Sequence, residues 1–452
     1  MVVFMQQQMS KLSILPDYSI DIEITSNPHQ FELTDLFKMA ARINKKRQFL
    51  FVSTVLGKHL AVRPQVPLLT GALLALMYHE NLTGEKAMTS DAVVKALKDG
   101  NRFDEVQNSV EGSIELAQET LFIGFAETAT ALGHAVFNAF HSNAMYIHTT
   151  REILPDLEPF VTFEEEHSHA TSHRIYTEDP KALLQAKRIV LIDDEITTGN
   201  TVINIIQTLR KKFPLVRQYA VLSILDWRSE QQQMLFKNLE EQWDISIEFI
   251  AIMCGHFSCS GTPSLTSIQP SVQTQSAQDM TLWPIQVSAD RKTFQSIAEN
   301  GLVNKQPYLV ATGRFMLTSK QHVQQKEMLQ AIAQQLKGLR TDGPALVIGT
   351  GEFMYVPMQI ASYLGNDVYF QSTTRSPIYC TDDVGYVITE KIAFESPENN
   401  GVQNYLYNVE SHSYTELFVV VERIASKEVV ARMVKAIQEV SRATIYVICM
   451  HE

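Results

Sequence analysis

The stretch VLIDDEITTGNT, residues 190–201, decides the fold of the first half of this chain. The apolar run RIVLI leads into three consecutive acids, and a Thr-Thr-Gly turn follows them. Apolar residues then recur at helical spacing, so the order predicts a buried parallel strand, a loop and a helix. Asp193, Asp194 and Glu195 are therefore expected at the carboxyl edge of a parallel sheet, where α/β proteins bind ligands.

The turn after the acids suits a phosphate group. Gly199 permits a tight backbone path, and the free N–H groups of a helix N-terminus attract anions. The acids suit hydroxyl groups or a metal ion, so a 5-phosphorylated ribose satisfies both features. The ordinary phosphate loop, G-x-x-x-x-G-K-[ST], is absent from this stretch, which argues against an ATPase.

Composition excludes several classes of protein. The 452 residues are 45% hydrophobic and 19% charged, which is typical of a soluble globular protein with at least two domains. A formal charge of −12 argues against general nucleic-acid binding. We expect no signal peptide and no membrane span, and the four cysteines are too few for a disulfide framework. The chain is therefore predicted to be cytoplasmic.

A polar segment divides the chain. Residues 257–278 contain no Asp, Glu, Lys or Arg, which is typical of a linker or long loop. We predict a first domain at 1–262, a linker at 263–284 and a second domain at 285–452. Apolar β-rich segments alternate with helical stretches in both halves, so the predicted fold class is α/β, with two mainly parallel, helix-flanked sheets.

The two halves contain a weak repeat. Its matching residues are Gly124, Glu127 and Thr149-Thr150-Arg151 in the first half and Gly349, Glu352 and Thr373-Thr374-Arg375 in the second. Upstream, FLFVSTVLGKHL pairs loosely with PYLVATGRFML, and downstream RIVLIDDEITTG pairs with LFVVVERIASKE. The second half is therefore predicted to be a degenerate copy that has lost the acid pair and the Thr-Thr-Gly turn.

The order hydrophobic-acid-acid-x-x-Thr-Thr-Gly-x-Thr resembles the signature of the type I phosphoribosyltransferases. The resemblance implies that Asp193 and Asp194 hold the ribose hydroxyls of phosphoribosyl pyrophosphate (PRPP), with Mg²⁺. It also implies a set of further PRPP-binding residues, namely Ser53, Thr197, Thr198, Gly199, Asn200 and Thr201. Glu195 departs from the family, which is usually apolar there; it could contact Mg²⁺, a backbone N–H or nothing. No acid stands at Thr197, so hypoxanthine-type acceptors are less expected.

The two-part layout is similar to a narrower family. A phosphoribosyltransferase half followed by TTRSPIY resembles the proteins of tellurite-resistance (ter) stress operons, whose C-terminal domain is named TRSP. This resemblance implies a stress-response, nucleotide-like pathway without defining its substrate.

Basic residues are needed to steady departing pyrophosphate. The resemblance assigns this role to Lys58 and Arg151, whereas His59 is either functional or incidental. Glu127 and Glu352 could hold an arginine or touch a ligand. Arg375 and Arg314 could bind an anion or complete the first half's site across the interface.

A polar stretch before the acid strand, FEEEHSHATSHRIY, corresponds to the mobile lid of type I enzymes. His167, His169, His173 and Arg174 are its candidate residues, with zinc binding as an alternative.

We therefore expect an Mg²⁺-dependent phosphoribosyltransferase that moves ribose 5-phosphate from PRPP to a nucleobase-like acceptor and releases pyrophosphate. The alternative is a non-catalytic sensor of PRPP or nucleotides. Type I enzymes often dimerise, so either a homodimer or an intramolecular pseudo-dimer is expected.

Overall fold

The computed structural model describes residues 8–43, 47–164, 172–265, 281–284, 289–298, 301–398, 401–409 and 414–450. The α-helices of these ranges are α1 Leu33–Leu36, α2 Gln65–Thr83, α3 Ser90–Asp99, α4 Phe103–Val110, α5 Ala129–Phe137, α6 Pro180–Leu183, α7 Asn200–Lys212, α8 Glu230–Trp243, α9 Ser319–Lys337, α10 Tyr355–Tyr363 and α11 Lys427–Gln438.

The strands up to residue 261 are β1 Gln8–Leu15, β2 Tyr18–Ser26, β3 Phe37–Ala41, β4 Phe49–Ser53, β5 Ile114–Gly124, β6 Phe140–His148, β7 Val161–Glu164, β8 Ser172–Ile175, β9 Arg188–Ile192, β10 Glu195–Ile196, β11 Gln218–Asp226 and β12 Ser246–Gly261. Those that follow are β13 Thr281–Pro284, β14 Arg291–Lys292, β15 Ser296–Ile297, β16 Val303–Asn304, β17 Tyr308–Leu309, β18 Leu317–Thr318, β19 Ala345–Gly349, β20 Val368–Ser372, β21 Lys391–Glu395, β22 Gln403–Tyr407, β23 Glu416–Val421 and β24 Thr444–Cys449.

The first half is built on a mixed sheet with the order β1-β2-β12-β11-β9-β5-β6-β18, and β10 pairs with β11. Its central strands β12, β11, β9, β5 and β6 are parallel. The pairs β1/β2, β2/β12 and β6/β18 are antiparallel. Residues 189–192 of β9 are buried, as expected for a central strand covered on both faces. This strand carries the acids to the carboxyl edge of the sheet.

The second half has a five-stranded sheet with the order β13-β24-β23-β19-β20, and all of its pairs are parallel. Helix α10 packs on β19 and β20, and α9 packs on α10. Thr281–Pro284, at the end of the predicted linker, forms β13, whereas residues 266–280 lie outside the described residues. The predicted α/β class is confirmed, and the second half's status as a degenerate copy stays a prediction.

Each half adds extended backbone to the edge of the other. Leu317–Thr318 pairs antiparallel with Tyr146 and Met145 of β6. In the opposite direction, Val62 and Phe370 exchange two backbone hydrogen bonds, of 3.0 and 2.8 Å. Because the exchange is reciprocal, the two halves pack as one interlocked unit.

The helix starts follow local sequence. Thr318 caps α9, since its side chain accepts from the Gln321 N–H at 3.3 Å while the Gln321 side chain accepts from the Thr318 N–H at 2.9 Å. Along α7 the apolar residues recur at helical spacing and are buried: Val202, Ile205, Ile206 and Leu209. In the part of the chain that the structure describes, each helix is too short or too polar to cross a lipid bilayer.

Candidate functional site

The loop after β9 is tied to the neighbouring strand β11. The N–H of Asp193 donates to the Leu222 carbonyl at 3.1 Å, and the Asp194 carbonyl accepts from the Ile224 N–H at 3.2 Å. The N–H of Asp194 also donates to Asp193 Oδ1 at 3.0 Å. Both acids are half-buried. They are therefore held at the carboxyl end of the sheet, as the sequence predicts.

The environment of Asp194 acts on its pKa in two directions. Burial raises the pKa of Asp194, whereas the hydrogen bond with Asp193 and the charges of Arg47 and Lys58 lower it. The net shift is upward. The positive charges of Arg47 and Lys58 thus offset part of the unfavourable free energy of keeping two adjacent carboxylates ionised in a half-buried site.

Glu195 has a partner that the sequence analysis did not consider. Arg47 Nη2 lies 2.6 Å from Glu195 Oε1. Burial raises the pKa of Glu195, and Arg47 opposes that shift. The basic segment KKR at residues 45–47 was a visible signal, but only the fold shows which acid it meets.

The Thr-Thr-Gly turn leads directly into the N-terminus of α7. Gly199 caps α7 with a φ of 80°, and an added Cβ would lie 2.6 Å from the Phe236 ring. The N–H of Asn200 donates to Thr198 Oγ1 at 3.3 Å. Thr197 and Thr201 are half-buried in the same turn. The N-terminus of α7 is thus supported from behind by α8, and its first N–H groups have no intrahelical acceptors.

A small pocket lies beside Asp194. Its lining residues are Leu36, Phe37, Phe51, Ser53, Asp194, Glu195, Ile224 and Leu225. The structure therefore brings predicted Ser53 next to Asp194, although the two are far apart in sequence. Phe51 also stacks on Trp227 with ring centroids 5.1 Å apart. One wall is aromatic, which suits a flat, apolar ring system.

Lys58 is buried at the boundary between the halves. Its ammonium pairs with Glu127 Oε1 and donates to the Gly351 carbonyl of the second half at 3.0 Å. Burial lowers the pKa of Lys58, and Glu127 opposes this shift. Burial alone would raise the pKa of Glu127, but Lys58, Arg375 and Arg151 hold it below its usual range. The charge of Lys58 is thus already matched by Glu127.

Glu352, which matches Glu127 in the repeat, is also paired with a buried cation. Arg314 Nη1 lies 2.8 Å from Glu352 Oε2, and the Thr150 hydroxyl donates to the same oxygen at 2.7 Å. Burial would raise the pKa of Glu352, but Arg314 is the main cause that brings it to about 2. Glu352 therefore holds an arginine, which is one of the two roles predicted for this acid.

The other predicted residues are distributed along the interface. Burial lowers the pKa of His59 to about 3, and its ring lies 6.4 Å from that of Tyr407 in the second half. Arg151 and Arg375 both border a cavity between the halves.

The predicted lid residues are only partly described. His173 Nδ1 lies 3.0 Å from Thr149 Oγ1, and Arg174 Nη1 donates to the Arg151 carbonyl at 3.3 Å. His167 and His169 lie outside the described residues. Within the described ranges, His, Cys, Asp and Glu form no group of three or more that could hold a metal ion.

One buried ion pair near the turn was missed from sequence. Arg228 Nη2 lies 2.7 Å from Asp226 Oδ2, and its guanidinium sits 3.2 Å from the centroid of the Phe249 ring. An added Cβ at Gly199 would lie 3.3 Å from Arg228 Cδ. The pair therefore supports the turn from behind, and its sequence signal was an acid at the end of the apolar strand β11 with a base two residues later.

Comparison with protein families matches both halves of the chain. Residues 36–256 match the model of a phosphoribosyl transferase family, and residues 311–437 match the model of the TRSP domain that lies C-terminal to it. The chain belongs to this phosphoribosyl transferase–TRSP family. A search of curated proteins found no match.

Solved structures with some likeness to this phosphoribosyl transferase–TRSP protein are themselves phosphoribosyltransferases. The adenine phosphoribosyl transferase of Trypanosoma brucei, solved with AMP, pyrophosphate and ribose-5-phosphate, is 14% identical, with 54% of this chain and 86% of that chain covered and a TM-score of 0.32. The adenine phosphoribosyltransferase of Rhodothermus marinus is 11% identical, and the match covers 49% of this chain and 96% of that chain with a TM-score of 0.27. A hypoxanthine phosphoribosyltransferase of Staphylococcus aureus is 11% identical, and the match covers 38% of this chain and 69% of that chain with a TM-score of 0.20.

Proposed function

We propose that this protein transfers ribose 5-phosphate from PRPP to a nucleobase-like acceptor and releases pyrophosphate. The observation that carries the proposal is the position of Asp193 and Asp194. They stand at the carboxyl end of β9, directly before the Gly199 turn, and Asp194 borders a cavity with Ser53 and an aromatic wall.

The first-half site supplies complementary groups for the two ends of the sugar phosphate. The carboxylates of Asp193 and Asp194 accept hydrogen bonds from the ribose hydroxyls. The N–H groups and hydroxyls of residues 197–201 bind the 5-phosphate. Phe37 and Phe51 give the acceptor ring an apolar surface. Catalysis by these groups consists of positioning and electrostatic stabilisation of the transition state.

Departing pyrophosphate needs positive charge. Arg151 is the proposed contact, and Lys58 is a positioning residue because its ammonium is already paired with Glu127. Asp193 and Asp194 alone make an incomplete metal site, since the described residues contain no group of three suitable side chains. We therefore propose that Mg²⁺ arrives with the diphosphate of PRPP, whose charge it helps to neutralise.

The second half is proposed to be a degenerate copy. Thr149 and Thr373 donate their N–H to the carbonyls of Gly124 and Gly349, at 2.9 and 3.0 Å. The hydroxyls of these threonines accept from the N–H two residues after each glycine, at 2.9 and 3.0 Å. Glu422, which aligns with Asp194, is buried and accepts from the Leu309 N–H at 2.8 Å. These matches support an intramolecular pseudo-dimer with one PRPP site.

The biological setting belongs to the same proposal. A cytoplasmic stress-response role linked to tellurite resistance is supported by the order of the two domains and by the TTRSP motif.

Asp194→Asn tests the function because it removes the charge and keeps the shape. PRPP affinity and pyrophosphate release with candidate bases are measured for the wild type, Asp194→Asn and the exposed control Asp91→Asn. We expect a loss of tenfold or more only in Asp194→Asn. Unchanged PRPP binding in that variant contradicts the assignment.

A PRPP sensor is the second candidate, because the buried pair of Lys58 and Glu127 removes one free cation from the leaving-group end. The discriminating measurement offers PRPP together with a metabolite extract and detects ribosylated products by mass. Saturable PRPP binding without pyrophosphate release supports a sensor, and a new ribosylated mass identifies the enzyme and its acceptor.

A further inference from the structure

The TRSP segment, residues 374–379, lies against strand β3 of the first half. The Ile43 N–H donates to the Pro377 carbonyl at 3.1 Å, and the Tyr379 N–H donates to the Ala41 carbonyl at 2.9 Å. These two bonds flank an antiparallel bridge. The segment that contains the family motif therefore adds a short stretch of extended backbone beside the end of β3, from the other half of the chain.

A tyrosine hydroxyl reinforces this contact. Tyr386 Oη accepts from the Ala41 N–H at 2.8 Å and donates to the Tyr379 carbonyl at 3.1 Å. Ala41 and Tyr379 already share a backbone hydrogen bond. The hydroxyl therefore joins the two segments at the point where their backbones meet.

The other end of the TRSP segment is attached to β22. Thr374 and Tyr405 exchange two backbone hydrogen bonds, of 3.0 and 2.7 Å. The Tyr407 hydroxyl donates to the Ser376 carbonyl at 2.6 Å and accepts from the Ile378 N–H at 2.9 Å. The segment thus connects β22 of the second half to β3 of the first half through its own backbone.

The β3–β4 hairpin packs into both halves, because successive residues of a strand point to opposite faces. On one face, it contributes Phe37 and Phe51 to the core of the first half. On the other face, its Ala40 and Val52 form a buried apolar cluster with residues of the second half. The second-half members of that cluster are Ile378, Ile388 and Tyr407.

The first face of the hairpin reaches the candidate site. Phe51 and Ser53 line the pocket beside Asp194. Arg47, just before β4, lies 2.6 Å from Glu195. A displacement of the hairpin would therefore move the aromatic wall and the ion pair together.

We propose that the TRSP segment and Tyr386 are positioning residues, which hold the β3–β4 hairpin and thereby keep Arg47 on Glu195. In this role the family motif braces the site of the neighbouring half. The effect on PRPP rests on the proposed function, whereas the bracing of the hairpin does not.

Hydrogen exchange of the full chain tests the bracing directly. Tyr386→Phe removes only the shared hydroxyl, and loss of one such hydrogen bond should speed exchange of the hairpin amides about tenfold. Tyr446→Phe is the matched control, because this tyrosine is also half-buried and lies in β24, which β23 and β19 separate from β20. The control should leave exchange of the hairpin unchanged.

A second pair of variants covers the loss of packing. Ile378→Ala opens a void in the buried cluster against Val52 and should also speed exchange of the hairpin. Ile437→Ala, equally buried in α11, should destabilise the chain without selectively exposing the hairpin. Wild-type protection of the hairpin in both Tyr386→Phe and Ile378→Ala overturns the proposal, as does equal exposure of the hairpin by Ile437→Ala.

The pH dependence of PRPP affinity tests the route through Arg47. Burial raises the pKa of Asp194, and Arg47 opposes that shift. A loosened hairpin withdraws Arg47, so Tyr386→Phe should move the acid midpoint of PRPP binding to higher pH, as Arg47→Gln should. The other charged groups that act on Asp194 and Glu195 are Asp193, Lys58 and Arg42.

The double variant decides whether the two changes act on the same pair. In the Arg47→Gln background, Tyr386→Phe should add no further shift of the midpoint. An unmoved midpoint in Tyr386→Phe, or a full second shift in the double variant, overturns the route through Arg47.

The two measurements separate this inference from the proposed function. If Asp194→Asn binds PRPP as the wild type does, the proposed PRPP site fails. Exchange of the hairpin amides in Tyr386→Phe and Ile378→Ala then still decides whether the TRSP segment braces the hairpin.

Discussion

The backbone N–H of Arg151 donates to Glu352 Oε1 at 3.1 Å, joining residues 201 positions apart. The Thr150 hydroxyl donates to the other oxygen of Glu352, so this one carboxylate holds the end of β6 from the opposite half. Lys58 makes the reverse connection through the Gly351 carbonyl. The positions of the first half's candidate residues therefore depend on the second half.

Glu352→Gln should destabilise the whole chain. The change removes a charged acceptor from buried Arg314, which keeps Glu152 at 3.2 Å and Glu422 at 3.7 Å. Loss of a charge-assisted buried bond costs about 2 kcal/mol, and urea denaturation measures it. The control Glu105→Gln breaks an exposed pair with Arg102 and should change little. If both variants lower the free energy of unfolding equally, the buried Glu352 contact contributes no more to stability than an exposed pair.

Gly199→Ala should weaken PRPP binding more than tenfold. An alanine at a φ of 80° is strained, and its Cβ would lie 2.6 Å from the Phe236 ring, so the turn must shift. Gly84→Ala is the matched control, since its φ is 72° and an added Cβ meets nothing within 4 Å. The control should lose about 1 kcal/mol of stability from strain and keep its PRPP affinity. Titration of PRPP into both variants measures the two affinities. Unchanged PRPP affinity in Gly199→Ala argues against phosphate binding by this turn.

Arg47→Gln should move the acid limb of PRPP binding to higher pH. Arg47 lowers the pKa of both Asp194 and Glu195, so its removal lets burial raise both values further. Asp194 then becomes protonated at a higher pH, and binding that needs its carboxylate is lost earlier on acidification. PRPP affinity measured across pH gives the midpoint. The exposed variant Arg102→Gln should leave the midpoint in place, and an unmoved midpoint in Arg47→Gln would refute the coupling.

Glu398→Gln should change how stability depends on pH. The pKa of Glu398 is raised from 4.5 to about 8, so between these values the folded state keeps a proton that the unfolded state has lost. Folding stability from this group therefore falls as pH rises through the window, by about 1.4 kcal/mol per pH unit.

The glutamine variant has no such loss, so its stability relative to wild type should increase from pH 5 to pH 8. Chemical denaturation at several pH values measures the difference. Glu395→Gln is the control, because Arg432 lowers the pKa of Glu395 and no similar rise is expected above pH 5. A constant difference between Glu398→Gln and wild type would contradict the shift.

Local patterns in the sequence determined the central part of the first half. The strand β9, the acids after it and the helix α7 are all predicted by an apolar run, a turn residue and helical spacing within 25 residues. These features depend on neighbouring residues, so they are visible without the fold. The similar spacing of Gly124 and Gly349 from the arginines of their Thr-Thr-Arg segments, 27 and 26 positions, likewise needed only the sequence.

The tertiary structure alone decided which charges meet. Arg47 reaches Glu195 across 148 positions, and Lys58 reaches Gly351 across 293. The composition gives the numbers of acids and bases, but not which pairs are close in space and shielded from water. Distance and burial set the strength of each pair, and both arise only when the sheets pack. The same packing forms the cavity between the halves, whose lining residues come from segments as distant as Arg151 and Asn404.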